Sequence, residues 1–314
     1  MSKNHPEPKL GARLTVWRPD WKNWANWVSR EWKRGLLVAA MFAGLYGLGT
    51  VMPVGFDWEH FFSQGRIPAF YMPWTGPIVG LFNWPTLFAL SVLALVWRAH
   101  RYKASPLALA LMLASLPTLW VLLFLGIIDG LTLLGLMLLP WGVPLVLLKP
   151  QVASFALLAK RRWLMALAVW GVLSLLVWGW WPARLALIMA DPGWRADWPQ
   201  DITLFPWGLL IALPLMWFSR GDEDLLMAAG SLGTPHIFPY HFIVLMPALA
   251  RMQWPWMIIT WVLTWAPLLA NWIGPLGWHF GNLASVAFWL GIYLNKARTM
   301  PTPGWTTMAD GRHK

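Results

Sequence analysis

Side chains able to do acid–base or phosphate chemistry are few in this sequence, and they fall into four short segments. The first is Phe56-Asp57-Trp58-Glu59-His60-Phe61-Phe62. Asp57 and Glu59 stand two positions apart, so on a turn both carboxylates could reach one divalent cation, whereas on a helix they would diverge. Alone, Asp57 could serve as a general base toward a hydroxyl. The same residues also fit an interfacial helix that Asp57 and Glu59 cap and solvate, with His60 an interfacial side chain. The second segment, Lys149-Pro150-Gln151, ends an apolar run with a cation, and the proline holds Lys149 out of helical geometry. A lysine there could hold a phosphate as a point charge, or could snorkel to anchor a helix end. Third come Thr234-Pro235-His236 and Pro239-Tyr240-His241, whose histidines could donate to a phosphate or a sugar hydroxyl or be satisfied core residues. The fourth, Gly126-Ile127-Ile128-Asp129-Gly130, is explained by turn chemistry alone. The run Arg220, Asp222, Glu223, Asp224 precedes Leu225, where acids complement a helix dipole, and it is assigned no chemistry.

The elements that must position these groups belong to a membrane. Of 314 residues 58% are hydrophobic and only 12% charged, against about 25% charged in a soluble domain, so lipid must cover most of the surface. Many of the 28 tryptophans flank prolines or charges at the ends of apolar runs, the headgroup position of an amphipathic ring. The absence of cysteine excludes disulfides, thiolate metal sites and cysteine nucleophiles. A net charge of +11 is spread in short clusters between apolar runs, which fits membrane topology better than a nucleic-acid face. No GxxxxGK[ST], HExxH or GxSxG motif supports NTP hydrolysis, zincin proteolysis or α/β-hydrolase chemistry.

Along the chain, residues 1–34 hold eight Lys or Arg and read as a cytoplasmic, Trp-rich interfacial segment, with Trp17, Trp21, Trp24, Val28 and Trp32 at helical spacing. They lack the short apolar core and small-residue cleavage site of a signal peptide. Residues 35–296 read as a transmembrane helical domain and 297–314 as a flexible basic cytoplasmic tail. Crossings are expected over residues 35–52, 77–96, 106–124, 131–148, 163–181, 203–218, 254–270 and 278–294, with basic turns inside and the 53–76 and 182–201 segments outside. The 182–201 segment sets Asp191, Asp197 and Asp201 against Arg184 and Arg195. The apolar runs at 225–237 and 242–250 are shorter than the ~20 residues a crossing needs, so they read as broken or re-entrant helices beside a cavity marked by Gly233, Thr234, Pro235 and Pro239. The expectation is an all-α, polytopic bundle of eight to ten spans, multi-pass in a bacterial cytoplasmic membrane, with both termini cytoplasmic.

The order of the motifs resembles the GT-C membrane glycosyltransferases, specifically the polyprenyl-phosphate-mannose-dependent alpha-mannosyltransferases, over residues 35–250. That family has an acid before aromatics after the first span (Asp57-Trp58-Glu59-His60-Phe61-Phe62) and a Tyr-x-Pro before the second (Tyr71-Met72-Pro73). It has a Gly-x-x-Asp-x-Leu hairpin (Gly126, Asp129, Leu131), a Lys-Pro segment before a basic turn (Lys149-Pro150-Gln151, Arg161-Arg162-Trp163), and a Ser/Thr-Pro-His with a nearby Tyr-Asp (Thr234-Pro235-His236, Tyr240-His241). The chain departs from the pattern at His241, where the family tends to have an acid, at Ile127, where Gln or Asn is usual, and in its shorter length. The resemblance implies transfer of a hexose, mannose first, from a polyprenyl-phosphate donor to a glycan or lipid acceptor hydroxyl at the outer face. It implies Asp57 as the catalytic base, with Glu59, Tyr71, Lys149, Gln151, His236 and Tyr240 binding substrate; a divalent cation on Asp57 and Glu59 stays open. Lys149 and His236 would neutralise the departing phosphate, yet an unbroken span over 131–148 would put Lys149 at the inner surface, far from Asp57. No nucleic-acid partner is expected, and the sequence leaves oligomeric state open. The rival reading is a non-catalytic membrane protein, a lipid or glycolipid carrier or a subunit of a larger complex.

Overall fold

The computed structural model describes residues 21–126, 128–190 and 198–299; side chains of residues 21–31, 189 and 299 are not described. Trp17, Ile127, Asp191, Arg195, Asp197 and the tail from 300 therefore lie outside the described residues. The chain divides into two units, residues 1–41 and 42–314. The described part of the first, residues 21–41, is helical.

Every regular element among the described residues is helical, with no strand. The described α-helices of eight residues or more are α1 (Trp21–Val51), α2 (Trp84–Arg101), α3 (Pro106–Leu113), α4 (Asp129–Met137), α5 (Arg161–Trp178), α6 (Trp181–Ala190), α7 (Leu209–Phe218), α8 (Glu223–Ser231), α9 (Trp254–Thr264) and α10 (Asn282–Thr299). Among the described residues three stretches are long and apolar enough to cross a membrane: Trp32–Val51, Arg161–Trp178 and Trp254–Ile273. A fourth is added if Pro106–Leu113 and Leu116–Leu125, bent by 53°, count as one. The other predicted crossings, 77–96, 131–148, 203–218 and 278–294, contain helices, but none that is both long and apolar enough to be counted with these. Asn83 explains one interruption: its side chain accepts the Thr86 N–H at 2.9 Å and Pro85 follows, so α2 starts at Trp84, within the apolar run predicted for 77–96.

The largest departure from expectation is at residues 131–148, which do not form one straight span. Helix α4 stops at Met137, ahead of Pro140, which removes a helical N–H. The chain then turns back, and the short helix Val143–Val146 packs against α4. Gly135 and Gly142 allow this close return, because a Cβ on Gly142 would lie 2.0 Å from the Gly135 carbonyl oxygen. The hairpin delivers Lys149 to the level at which α4 began, and its Nζ stands 3.6 Å from Asp129 Oδ2.

The centre of the second unit is a 3₁₀ helix, Pro239–Arg251, buried from Pro239 to Leu249. Its 13 residues, at about 2 Å rise each, span roughly 25 Å, of the order of a bilayer's hydrocarbon core. Both this rod and α8 run from one polar cluster to another. At the first end lie Thr234, His236, Tyr240 and His241; at the second, Asp222, Glu223, Asp224 and Arg251.

Outside this core the helices present apolar side chains outward. On α5 Met165, Val169, Val172, Leu176 and Val177 are exposed, and on α7 Leu210, Leu213 and Trp217 are. Faces of this length and composition are too apolar for water.

Candidate functional site

The first cluster is assembled from segments far apart in the chain, beginning with two glycines. Gly55 precedes Asp57, and a Cβ placed on it would lie 2.0 Å from the Gly126 amide nitrogen. Gly126 itself has φ +62°, the left-handed region that glycine tolerates. Two backbones thus touch, and the Asp57 segment is set against the hairpin that opens α4 at Asp129.

Tyr71 comes next. Trp74, three residues on and 1% exposed, donates its indole N–H to the Pro144 carbonyl at 3.0 Å and packs against Trp170, Trp178 and Trp181. This tryptophan cluster fixes the Tyr71-Met72-Pro73 turn against the returning hairpin. The Tyr71 hydroxyl donates toward Asp57 Oδ2 at 3.5 Å. Lys149 is buried, with Nζ 5.1 Å from the ring centres of both Tyr71 and Tyr240, within cation–π range of each.

The third wall is the irregular stretch after α8. Thr234 Oγ1 donates to the Gln151 carbonyl at 2.8 Å, joining it to the Lys-Pro segment. His236 is held through Nδ1 by Asp201 Oδ2 at 2.8 Å, while Asp201 Oδ1 accepts the Ile237 and Thr203 amides, each at 3.1 Å. At His241, Nδ1 accepts the Phe238 amide at 3.1 Å, so the neutral ring carries its proton on Nε2. That buried Nε2 has no protein partner, nor has Gln151 Oε1. Unmatched buried polar atoms cost free energy until something meets them.

Between these walls is a cavity of about 250 Å³, lined among others by Tyr71, Lys149, Gln151, His236, Tyr240 and His241. A second cavity, also about 250 Å³, shares Tyr71, Met72 and Leu185 with it and adds Arg184. Five of the seven residues predicted for the site therefore line one cavity, and a sixth, Asp57, is linked to it through the Tyr71 hydroxyl. Glu59 stands apart: it is exposed on the helical turn Trp58–Phe62. Among the described residues no group of three or more His, Asp or Glu is placed to hold a metal ion. Burial raises the Asp57 carboxyl above its ordinary value, opposed by the Lys149 charge, the Tyr71 hydroxyl and His60.

Two members, Asp129 and Asp201, have roles that the sequence does not show. In the sequence Asp129 is a turn residue and part of the Gly-x-x-Asp-x-Leu pattern, with nothing to tie it to Lys149, with which it pairs. Asp201 was one acid among several in an irregular segment, 35 residues before the histidine it orients, and no local spacing connects them. His241 is a donor candidate already in the sequence, and the fold adds the backbone contact that leaves its proton on Nε2. Compared with protein families, curated proteins and solved structures, the chain matches none.

Proposed function

We propose that this chain is an integral membrane glycosyltransferase of GT-C type, moving a hexose, mannose first, from a polyprenyl-phosphate donor to an acceptor hydroxyl. The observation that carries the reading is the cavity that gathers Tyr71, Lys149, Gln151, His236 and Tyr240, from three separated segments, beside Asp57. A phosphate seated there would meet the Lys149 ammonium and the His236 and His241 rings, all potential donors to its oxygens. In the transfer, the acceptor oxygen forms a bond to the sugar's anomeric carbon as the bond from that carbon to the phosphate oxygen breaks. The polyprenyl phosphate leaves with the electron pair, and Asp57 takes the acceptor's proton. Tyr71 and the Asp201–His236 pair position the groups, and the adjoining cavity at Arg184 gives the acceptor room.

The exposed apolar faces of α5 and α7 support placement in a bilayer. The positive-inside bias supports an orientation with Arg98, Arg101, Lys160, Arg162 and Lys296 toward the cytoplasmic side of a bacterial inner membrane and the cavity toward the outer side. Eight to ten passages of the bilayer would then include helices interrupted as α4 is, tolerated because their freed backbone groups face protein.

Membranes expressing the chain, given radiolabelled polyprenyl-phosphate mannose or glucose and an envelope extract as acceptor source, should transfer label. Asp57→Asn should lower transfer by about 10²-fold or more. Absence of transfer from both donors, with the acceptor supply verified by a known transferase, would reject the reading in favour of a carrier or subunit.

A further inference from the structure

At the opposite end of the 3₁₀ rod is a second polar site that the transfer reaction does not use. Its foundation is a buried ion-pair network. Arg98, 3% exposed, pairs with Glu223 at 2.9 Å and Asp224 at 2.8 Å. Arg251 pairs with Asp222 and Asp224, each at 2.6 Å, and Lys296 reaches Asp222 at 3.3 Å. The Arg98 and Arg251 guanidinium carbons stand 5.6 and 5.5 Å from the Tyr102 ring centre. Three acids thus meet three bases, and the network is internally balanced.

A cavity of about 410 Å³ opens beside it. Arg101, Lys160 and Arg162 line this cavity, and among the described residues none of the three has a carboxylate partner. Asp222 and Glu223 line it too, but both are already paired within the network, so the positive charge there is in surplus. Lys160 is also the N-cap of α5, whose first turn carries Arg161 and Arg162 and no acid, so these cations face the positive end of a helix dipole. Trp163 lines the same cavity, is 4% exposed, and its indole N–H has no acceptor. A buried donor, three uncompensated cations and a helix N-terminus all favour one kind of occupant, an anion with several acceptor oxygens.

The remaining wall selects among anions. Leu136, Met137 and Leu139, from the end of α4 and its turn, make one side of the cavity apolar. Just beyond, Leu138 is 50% and Trp141 89% exposed. The site thus places a cationic wall against an apolar flank that continues to the exterior. We propose that it binds the phosphate of an anionic phospholipid, with the headgroup among Arg101, Lys160 and Arg162 and the acyl chains along the α4 turn. This inference rests on the membrane reading but not on the transferase reading.

The test is native mass spectrometry of the full chain in detergent with equal amounts of phosphatidylglycerol and phosphatidylcholine. The wild type should retain phosphatidylglycerol preferentially. Arg101→Gln, Lys160→Gln and Arg162→Gln should each weaken that preference about fivefold, and the triple variant should lose it. Lys103→Gln with Arg161→Gln, which removes two nearby charges that do not line the cavity, should retain it. Equal retention of the two lipids by the wild type, or a triple variant indistinguishable from this control, overturns the proposal. Excess inorganic phosphate separates the two sources: survival of phosphatidylglycerol binding supports a lipid, and its complete displacement assigns the pocket to soluble phosphate and overturns the lipid source. If the triple variant fails to fold, the exposed Lys160→Gln carries the comparison alone. Transferase activity is not part of the readout, so failure here leaves the proposed reaction standing, and failure of the reaction leaves this site standing.

Discussion

Lys149 is the residue on which the candidate site turns. Its ammonium lies beside the Asp129 carboxylate, between two phenol rings, and its charge opposes the burial that raises Asp57. A general base acts only when ionised, so transfer should fall as pH drops through the raised Asp57 value. Lys149→Met removes a positive charge that favours the Asp57 carboxylate, so the acidic limb of the kcat/KM profile should move to higher pH. A profile whose acidic limb stays in place would show that Lys149 does not act on the base. At this scale the sequence named most of the participants. It could not pair Lys149 with Asp129, or Asp201 with His236, because ion pairs between residues 20 to 35 positions apart leave no periodic signature.

At the scale of elements, the site depends on a short contact between two loops. Gly55→Ala forces a methyl into the Gly126 backbone, and Gly126→Ala adds left-handed strain to a contact of 2.9 Å with the Gly55 Cα. Each should lower stability by about 2–4 kcal/mol and reduce transfer by displacing Asp57. Gly171→Ala on α5 is the counterpart: nothing lies within 4 Å, so the added methyl should stabilise the helix by up to about 1 kcal/mol. Unfolding monitored in detergent would distinguish them, and equal behaviour of all three would refute the proposed loop contact. The glycines are visible in the sequence as turn residues, yet their mutual contact is not. The reversal at Gly135 and Gly142 is similarly hidden, because an apolar run of 18 residues reads alike whether it crosses straight or folds back on itself.

For the whole molecule, the two polar clusters at the ends of the 3₁₀ rod divide the work: one gathers unmatched donors and acceptors around a cavity, the other balances charge. Burial raises Asp222, but the Arg251 hydrogen bonds and charge, with Lys296, outweigh it and bring its carboxyl down to about 2. A depressed carboxylate contributes stability that is present above its ordinary value of 3.8 and is lost as pH falls through about 2. The wild type should therefore lose stability across that window, and Asp222→Asn should be less stable at neutral pH with a flatter acid dependence. An unchanged slope in the variant would mean that the network does not link the elements it touches.

Composition alone determined a chain that is mostly apolar and net basic, since these properties are sums over residues, and the order of its apolar runs and basic clusters made it helical in expectation. The sequence also located the polar segments that line the candidate site, because acids, histidines and prolines are conspicuous against an apolar background. Only the tertiary structure decided which segments meet. Pairing Asp57 with Tyr71, Lys149 with Asp129 and His236 with Asp201 depends on where short helices stop and turn. Some stops are local, as at Asn83 and Pro140, but which segments then meet is set by close backbone contacts and long-range packing, whose energies belong to pairs of distant residues.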